Sequence, residues 1–189
     1  PGVGKTTTAL ALCRLMGMDF NRIQFTPDVV PSDVTGFTMY EKQTGKFIYR
    51  PGAVMCNMLL ADEINRTSSK TQAALLEVME EGKVTVDNET HPVPQPFVVI
   101  ATENPTGSSG TQMLPESQLD RFMISLSMGY PDHENLVELL RDRQTKNPLE
   151  NAKAVITKEE VVMLQDQVQK VYMADSILNY IATLAEATR

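Results

Sequence analysis

The opening residues, Pro1-Gly2-Val3-Gly4-Lys5-Thr6-Thr7, are of the types that hold phosphate. Glycines let a backbone bend until its N–H groups converge on an anion. A lysine then neutralises the terminal phosphates, and a Ser/Thr hydroxyl ligates Mg²⁺. Gly2, Gly4, Lys5 and Thr6 supply these groups, and Val3 and Thr7 complete the backbone around the anion. Residues 7–16 read as a helix, whose dipole and free N-terminal N–H groups would face the same charge. The full pattern opens with a glycine five residues before Gly4, and a strand normally leads into it. The expectation is a chain that starts inside its own motif, with that strand upstream. A glycine-rich turn ahead of a surface helix is the competing reading.

A second group of residues fits the same chemistry. Residues 54–62 form a mostly apolar run ending in Asp62, with Glu63 next. Such a run suits a strand buried on both faces of a parallel sheet, and the C-terminal ends of such strands are where open α/β sheets bind ligands. Asp62 can support Mg²⁺, and Glu63 can orient and polarise a water that attacks a γ-phosphate. An acidic strand end before a turn would look similar in isolation, but one fold accounts for both this pair and Lys5-Thr6.

Residues 96–102 are another buried-strand candidate and lead to Glu103-Asn104-Pro105. Asn104 could sense the γ-phosphate or hold the attacking water, or it could close an Asn-Pro turn through a local bond. Pro115 suits the first turn of a short helix, and residues 122–128 read as a strand resuming after it. Arg121 falls between the two. Its guanidinium could reach a phosphate on a neighbouring subunit, or pair on the surface with Asp120 or Glu116. Chemistry alone leaves both open.

The elements needed to position these groups follow from the pattern. Helix and apolar strand alternate through residue 128, indicating an α/β sandwich with a largely parallel sheet. Residues 38–49, around Gly45, and residues 83–93, turning near Asp87-Asn88, read as β-hairpins flanking the helix Ser69–Glu81. Each could line a pore or touch a substrate, or be an ordinary edge hairpin. After Tyr130-Pro131 three helical stretches follow, at 132–144, 158–171 and Asp175–Ala187, with Asp132 and Thr157 as N-caps and a linker at 147–155. The expected division is a core at 1–130 and the start of a helical lid at 131–189.

Composition narrows the function classes. The net charge of −7, from 24 acidic and 17 basic residues, disfavours nucleic acid over the surface as a whole. No apolar run approaches the roughly 20 residues of a membrane span, and no secretory signal is visible. Cys13 and Cys56 lie in apolar stretches and read as buried thiols in a reducing cytoplasm. His91 and His133 are isolated, which argues against a metal cage. The eleven methionines are scattered through apolar positions and read as core filler.

Several strings together closely resemble the MoxR family of AAA+ ATPases, a P-loop NTPase fold. They are Leu59-Leu60-Ala61-Asp62-Glu63-Ile64-Asn65-Arg66 with residues 70–81, Thr26-Pro27-Asp28 with residues 31–36, Ala101-Thr102-Glu103-Asn104-Pro105, and Leu114-Pro115-Glu116 with residues 118–122. The resemblance implies a three-layer α/β sandwich with inserted hairpins and a C-terminal lid, assembled as a homo-oligomeric ring, commonly a hexamer. ATP and Mg²⁺ would bind between subunits. Lys5 and Thr6 would hold phosphate and metal, Asp62 would support the metal, and Glu63 would activate water. Asn104 matches the first sensor and Arg121 the finger that reaches a neighbour's site. Magnesium chelatase subunits and MCM helicases are structural relatives of that family. Its members are thought to remodel or activate client proteins in a chaperone-like way, often with a partner carrying a von Willebrand factor A domain.

Two departures accompany the resemblance: the leading glycine and its strand, and the later lid segment with a second sensor arginine, both fall outside these 189 residues. The chain is thus expected to be part of a longer protein and to be poorly stable or inactive alone. A nucleotide-gated assembly module would use the same residues as a hydrolytic motor, and a partner-stimulated rate would separate them. A helicase-like motor would need a basic hairpin, whereas residues 83–93 hold Lys83 against Asp87 and Glu89. A small-molecule kinase fits less well, because Glu63 directly after Asp62 suits water activation.

Overall fold

The computed structural model describes residues 4–103, 113–145, 149 and 152–188. The chain runs through α1 (Lys5–Leu15), β1 (Phe20–Gln24), α2 (Pro31–Thr35), the hairpin β2 (Gly36–Glu41) and β3 (Lys46–Pro51), and β4 (Met58–Asp62). A 3₁₀ turn (Ile64–Arg66), α3 (Ser69–Glu81), the hairpin β5 (Lys83–Val86) and β6 (Glu89–Pro92), and β7 (Val98–Ala101) follow. Four helices complete it: α4 (Glu116–Leu119), α5 (His133–Thr145), α6 (Lys158–Val168) and α7 (Asp175–Ala187).

β1, β4 and β7 form a parallel sheet with β4 in the middle. The centre goes to the strand able to be buried on both faces: Met58, Leu59, Leu60 and Ala61 are all shielded from solvent. On one face Leu59 and Ala61 join Phe25, Val34, Ile64 and, from α3, Leu75 and Val78. On the other, Met58 joins Cys13 of α1 and Met18. A helix on each face of a parallel sheet is the three-layer α/β arrangement the alternation of elements implies.

Register decides what gathers at the sheet's ends. Gln24 lies opposite Asp62, and Ala61 opposite Ala101, so Gln24, Asp62 and the following Thr102 share the C-terminal edge. The opposite edge is tied by the buried Asn57, whose Nδ2 donates to Pro96 O at 3.0 Å while its Oδ1 accepts from Asp19 N at 3.3 Å. α3 is cleanly bounded. Ser68 Oγ accepts from Thr71 N, and Gly82, at φ 64°, supplies the left-handed residue that ends the helix.

Both hairpins form. β5 and β6 meet in a two-residue turn with Asp87 at φ 50° and Asn88 at φ 66°, the left-handed pair such turns require. The hairpins touch through Tyr49 and His91, whose rings stack at 3.8 Å.

Four expectations need correction. The strand expected over 54–62 is confined to Met58–Asp62, because residues 53–57 form turns, with Met55 N donating to Gly52 O and Cys56 N to Val54 O. Likewise 96–102 contracts to Val98–Ala101, and the helix expected over 158–171 ends at Val168. No strand forms over 122–128: no described strand pairs with it, Met123 is 98% exposed, and without a ladder partner an extended segment gains nothing from its alternation. β1 and α2 have no counterpart in the sequence reading of elements.

The last helices form, with α6 shorter than expected. Asp132 Oδ1 accepts from Asn135 N at 2.9 Å, and Thr157 with Glu160 makes a reciprocal capping box. They touch the rest of the fold sparingly. Val155 N donates to Leu15 O, Lys158 pairs with Asp19 at 2.6 Å, and Val161 packs beside Cys13 and Met58. Cys13 and Cys56 are free and buried, and burial pushes the Cys56 thiol up to about 11. No described helix is long and apolar enough to cross a membrane.

Candidate functional site

The site is built where the N-terminus of α1 meets the C-terminal edge of the sheet. Gly4 caps α1 at φ 86°, a conformation that disfavours any side chain. Among the described residues the first helical bond runs from Thr8 N to Gly4 O, and the N–H groups of Lys5, Thr6 and Thr7 have no partner there, so they point out of the start of α1 towards an anion's place. Gly2, Val3 and Asn104 lie outside the described residues, so the phosphate-holding and sensing roles expected for them are not part of this geometry. Lys5 Nζ reaches across to Glu103 O, just past β7, at 3.5 Å. That places the ammonium over the strand ends, beside the acidic pair.

Asp62 is held from two sides. Thr102 Oγ1 donates to Oδ1 at 2.5 Å, and Arg22 donates to Oδ2 at 2.7 Å. Burial alone would raise this carboxyl. The Thr102 hydroxyl and the Arg22 guanidinium, with Lys5 adding its charge, more than offset burial and leave it below its ordinary value. An anionic, preoriented carboxylate facing a lysine is a suitable donor for a hydrated divalent cation.

Glu63 sits at φ 56°, ψ 48°, left-handed for a residue with a side chain. Such a conformation costs on the order of 1–3 kcal/mol and persists only where the surroundings impose it. Here Glu63 N donates to Thr102 Oγ1 at 2.9 Å and Ile64 N to Thr102 O at 3.0 Å. The carboxylate accepts at Oε2 from Gln24 Nε2 at 3.0 Å and from Arg66 Nη1 at 2.7 Å. The single hydroxyl of Thr102 therefore locks Asp62 and the Glu63 backbone together.

Lys5, Asp62 and Glu63 thus meet at one edge, with Thr6 next to Lys5 in the first turn of α1, while Arg121 does not join them. It pairs with Glu80 at the end of α3, at 2.8 Å, rather than with Asp120 or Glu116 as its surface reading had it. Both partners are well exposed, so the bond contributes only about 0–1 kcal/mol and is easily exchanged for another anion. Sequence reasoning missed Gln24, Arg22 and Thr102, and left Arg66 without a role. A polar residue directly after an apolar strand was the available signal for Thr102. Gln24 and Arg22 carried none, since β1 reads Phe-Asn-Arg-Ile-Gln with no apolar run.

Several known proteins resemble this chain. The family model for the ATPase family associated with various cellular activities (AAA) matches residues 1–124. The chain is 52% identical over 189 residues to the uncharacterized protein YeaC of Bacillus subtilis, and 39% identical over 189 residues to Chaperone MoxR1 of Mycobacterium tuberculosis. It spans 59% of the first and 50% of the second. A crystal structure of a candidate ATPase from Cytophaga hutchinsonii matches the whole chain with a TM-score of 0.90 at 41% identity, and 57% of that protein is covered. With its parallel sheet, its phosphate-type loop and these relatives, the chain belongs to the AAA ATPase family, as a member of MoxR type.

Proposed function

We propose that this chain forms the nucleotide-hydrolysing core of a ring ATPase that binds Mg-ATP between subunits and uses its turnover to remodel a client protein. The observation that carries the reading is the convergence of Lys5 with Asp62 and Glu63 at the C-terminal edge of the parallel sheet. Nucleotide would lie along the start of α1, its phosphates on the N–H groups of Lys5, Thr6 and Thr7 and on the Lys5 ammonium. Mg²⁺, when bound, would draw charge off the β- and γ-phosphates. Thr6 and Asp62 would hold it, directly or through its waters. Glu63 orients the water for in-line attack and accepts part of its proton.

Arg121 completes the site from the neighbouring subunit. The weak, exposed pair with Glu80 supports this, since a polyphosphate would readily replace a solvated carboxylate. Helices from residue 131 onward act as the start of a lid over the nucleotide. The name Chaperone MoxR1 borne by a relative supports a protein client, and a partner with a von Willebrand factor A domain fits the same picture. Six subunits and a cytoplasmic setting are the simplest assembly and location.

The test uses the full-length protein with Glu63→Gln, Arg121→Ala, and an equimolar mixture of the two. A finger supplied in trans is worth on the order of 10³–10⁵ in rate, so each variant should be nearly silent alone. Recovery on mixing is expected, because some interfaces then join an intact Glu63 to an intact Arg121. Normal hydrolysis by Arg121→Ala would remove the intersubunit assignment, and normal hydrolysis by Glu63→Gln would remove the catalytic one.

A further inference from the structure

We infer that Arg66 is a positioning residue for Glu63: it holds one carboxylate oxygen so that the other is left for the attacking water. The inference rests on the hydrolysis reading above and adds to it a residue whose role the sequence leaves open. Arg66 Nη1 lies 2.7 Å from Glu63 Oε2, and Gln24 Nε2 lies 3.0 Å from the same atom. Both donors converge on Oε2, and among the described residues no hydrogen bond reaches Oε1. A carboxylate free to spin about its last bond presents either oxygen in any direction. One gripped on a single oxygen presents its second at a fixed place.

The grip is built into the backbone. The chain leaves β4 in a left-handed residue and at once enters the 3₁₀ turn Ile64–Arg66. Such a turn repeats every three residues, so side chains at i and i+3 eclipse, and Arg66 falls over Glu63. Buried groups fix the turn. Ile64 and Asn65 are shielded from solvent, and Gln72 Nε2 donates to Ile64 O at 3.1 Å. Thr102, just past the neighbouring strand β7, accepts from the Glu63 and Ile64 N–H groups. The ion pair itself is half exposed and adds little to stability, so this much framework around it is better explained by what it does to Glu63. The planar fork of arginine also suits the task, since it fixes direction as well as charge.

The experiment takes the full-length protein and measures Mg-ATP hydrolysis, nucleotide affinity and melting temperature for Arg66→Ala, Arg66→Lys and Glu63→Gln. Misplacing a reacting group by about an ångström costs on the order of 10² in rate. Arg66→Ala should therefore lose about that factor in kcat, with KM, affinity and melting temperature unchanged. Arg66→Lys should recover part of the loss, because an ammonium can reach Oε2 without fixing the plane. Mixing Arg66→Ala with Glu63→Gln should give no recovery, since each subunit then lacks one half of its own pair. Arg66→Ala with parental or higher kcat would overturn the inference, as would recovery on mixing, which would place Arg66 in the neighbour's site. A fall in affinity and melting temperature with kcat kept would make Arg66 structural. Normal turnover by Glu63→Gln would instead remove the hydrolysis reading beneath it.

Discussion

Strand β4 and helix α7 are both apolar by pattern, yet they meet opposite fates. Met58–Ala61 is closed off on both faces, whereas Ile177, Leu178, Ile181 and Leu184 of α7 remain 47–49% exposed. Both elements form, because local periodicity is enough to select strand or helix. Only one is buried, because burial requires a partner on the far side. The core clusters draw on α1, α3, β4, β5, β7 and the segments between them, with Leu114 beyond, and of the last three helices only α6 contributes, through Val161 at their margin. Within this chain burial is therefore concentrated around the sheet whose edge carries Asp62 and Glu63, and its last helices add little to it.

The sharpest way to break that contrast is a matched pair of truncations. Leu60→Ala empties part of a fully buried site in the central strand and should cost about 2–5 kcal/mol. Leu178→Ala removes the same atoms from a half-exposed helix face and should stay within about 0.5 kcal/mol. Urea unfolding followed by circular dichroism would compare them. Equal losses would mean that α7 is packed as firmly as β4 and that the contrast is false.

The same contrast marks what the sequence could and could not convey. β4 was legible because an apolar run ending in two carboxylates has few other uses, and α3 because its spacing is closed by Ser68 and Gly82. The Asp87-Asn88 turn announced its hairpin. β1 was not legible: it is an edge strand with only Phe20 and Ile23 half-buried, so its polar letters resemble a loop. Residues 122–128 misled in the opposite direction, since alternation describes a strand only where a ladder partner exists. At the site, Lys5, Asp62 and Glu63 carry their chemistry in their identities. The contacts of Thr102, Gln24 and Arg66 depend on parallel register and on the left-handed turn at Glu63, neither of which is written in residue type.

The two ends of the first hairpin give a second, smaller contrast. At its base Gly36 and Gly52 are packed backbone to backbone, and a Cβ on Gly52 would collide with Gly36 N and Val34 O. At its tip, the nearest atom to a Cβ on Gly45 is the Tyr40 hydroxyl at 3.9 Å. Gly52→Ala should cost about 1–3 kcal/mol through forced backbone shifts. Gly45→Ala, at φ 69°, should cost about 1 kcal/mol through its left-handed backbone alone. Thermal melts of both variants would show it, and a Gly45 loss equal to that of Gly52 would mean the tip is packed as tightly as the base.

The smallest effect concerns two ion pairs of similar length in different settings. Arg22–Asp62 joins β1 to β4 at 2.7 Å with the carboxylate 16% exposed, while Lys158–Asp19 ties α6 to the fold at 2.6 Å with the carboxylate 77% exposed. The Asp62 carboxyl lies below its ordinary value in the folded chain, because Thr102, Arg22 and Lys5 outweigh the upward push of burial. A group depressed in this way stabilises the fold fully above its unfolded value, near pH 4 for an aspartate, and the contribution is lost as pH falls through the folded value. Arg22→Gln removes one of the lowering groups, so Asp62 should protonate at higher pH and its share of stability should shrink. Acid titration of the Asp62 carboxyl carbon by NMR would follow the shift directly, and an unmoved midpoint would mean that Thr102 and Lys5 hold the charge without Arg22. Lys158→Gln, losing a solvated pair, should change stability by about 0.2–1 kcal/mol. A larger loss there would mean that α6 is anchored to the core more firmly than its exposure indicates.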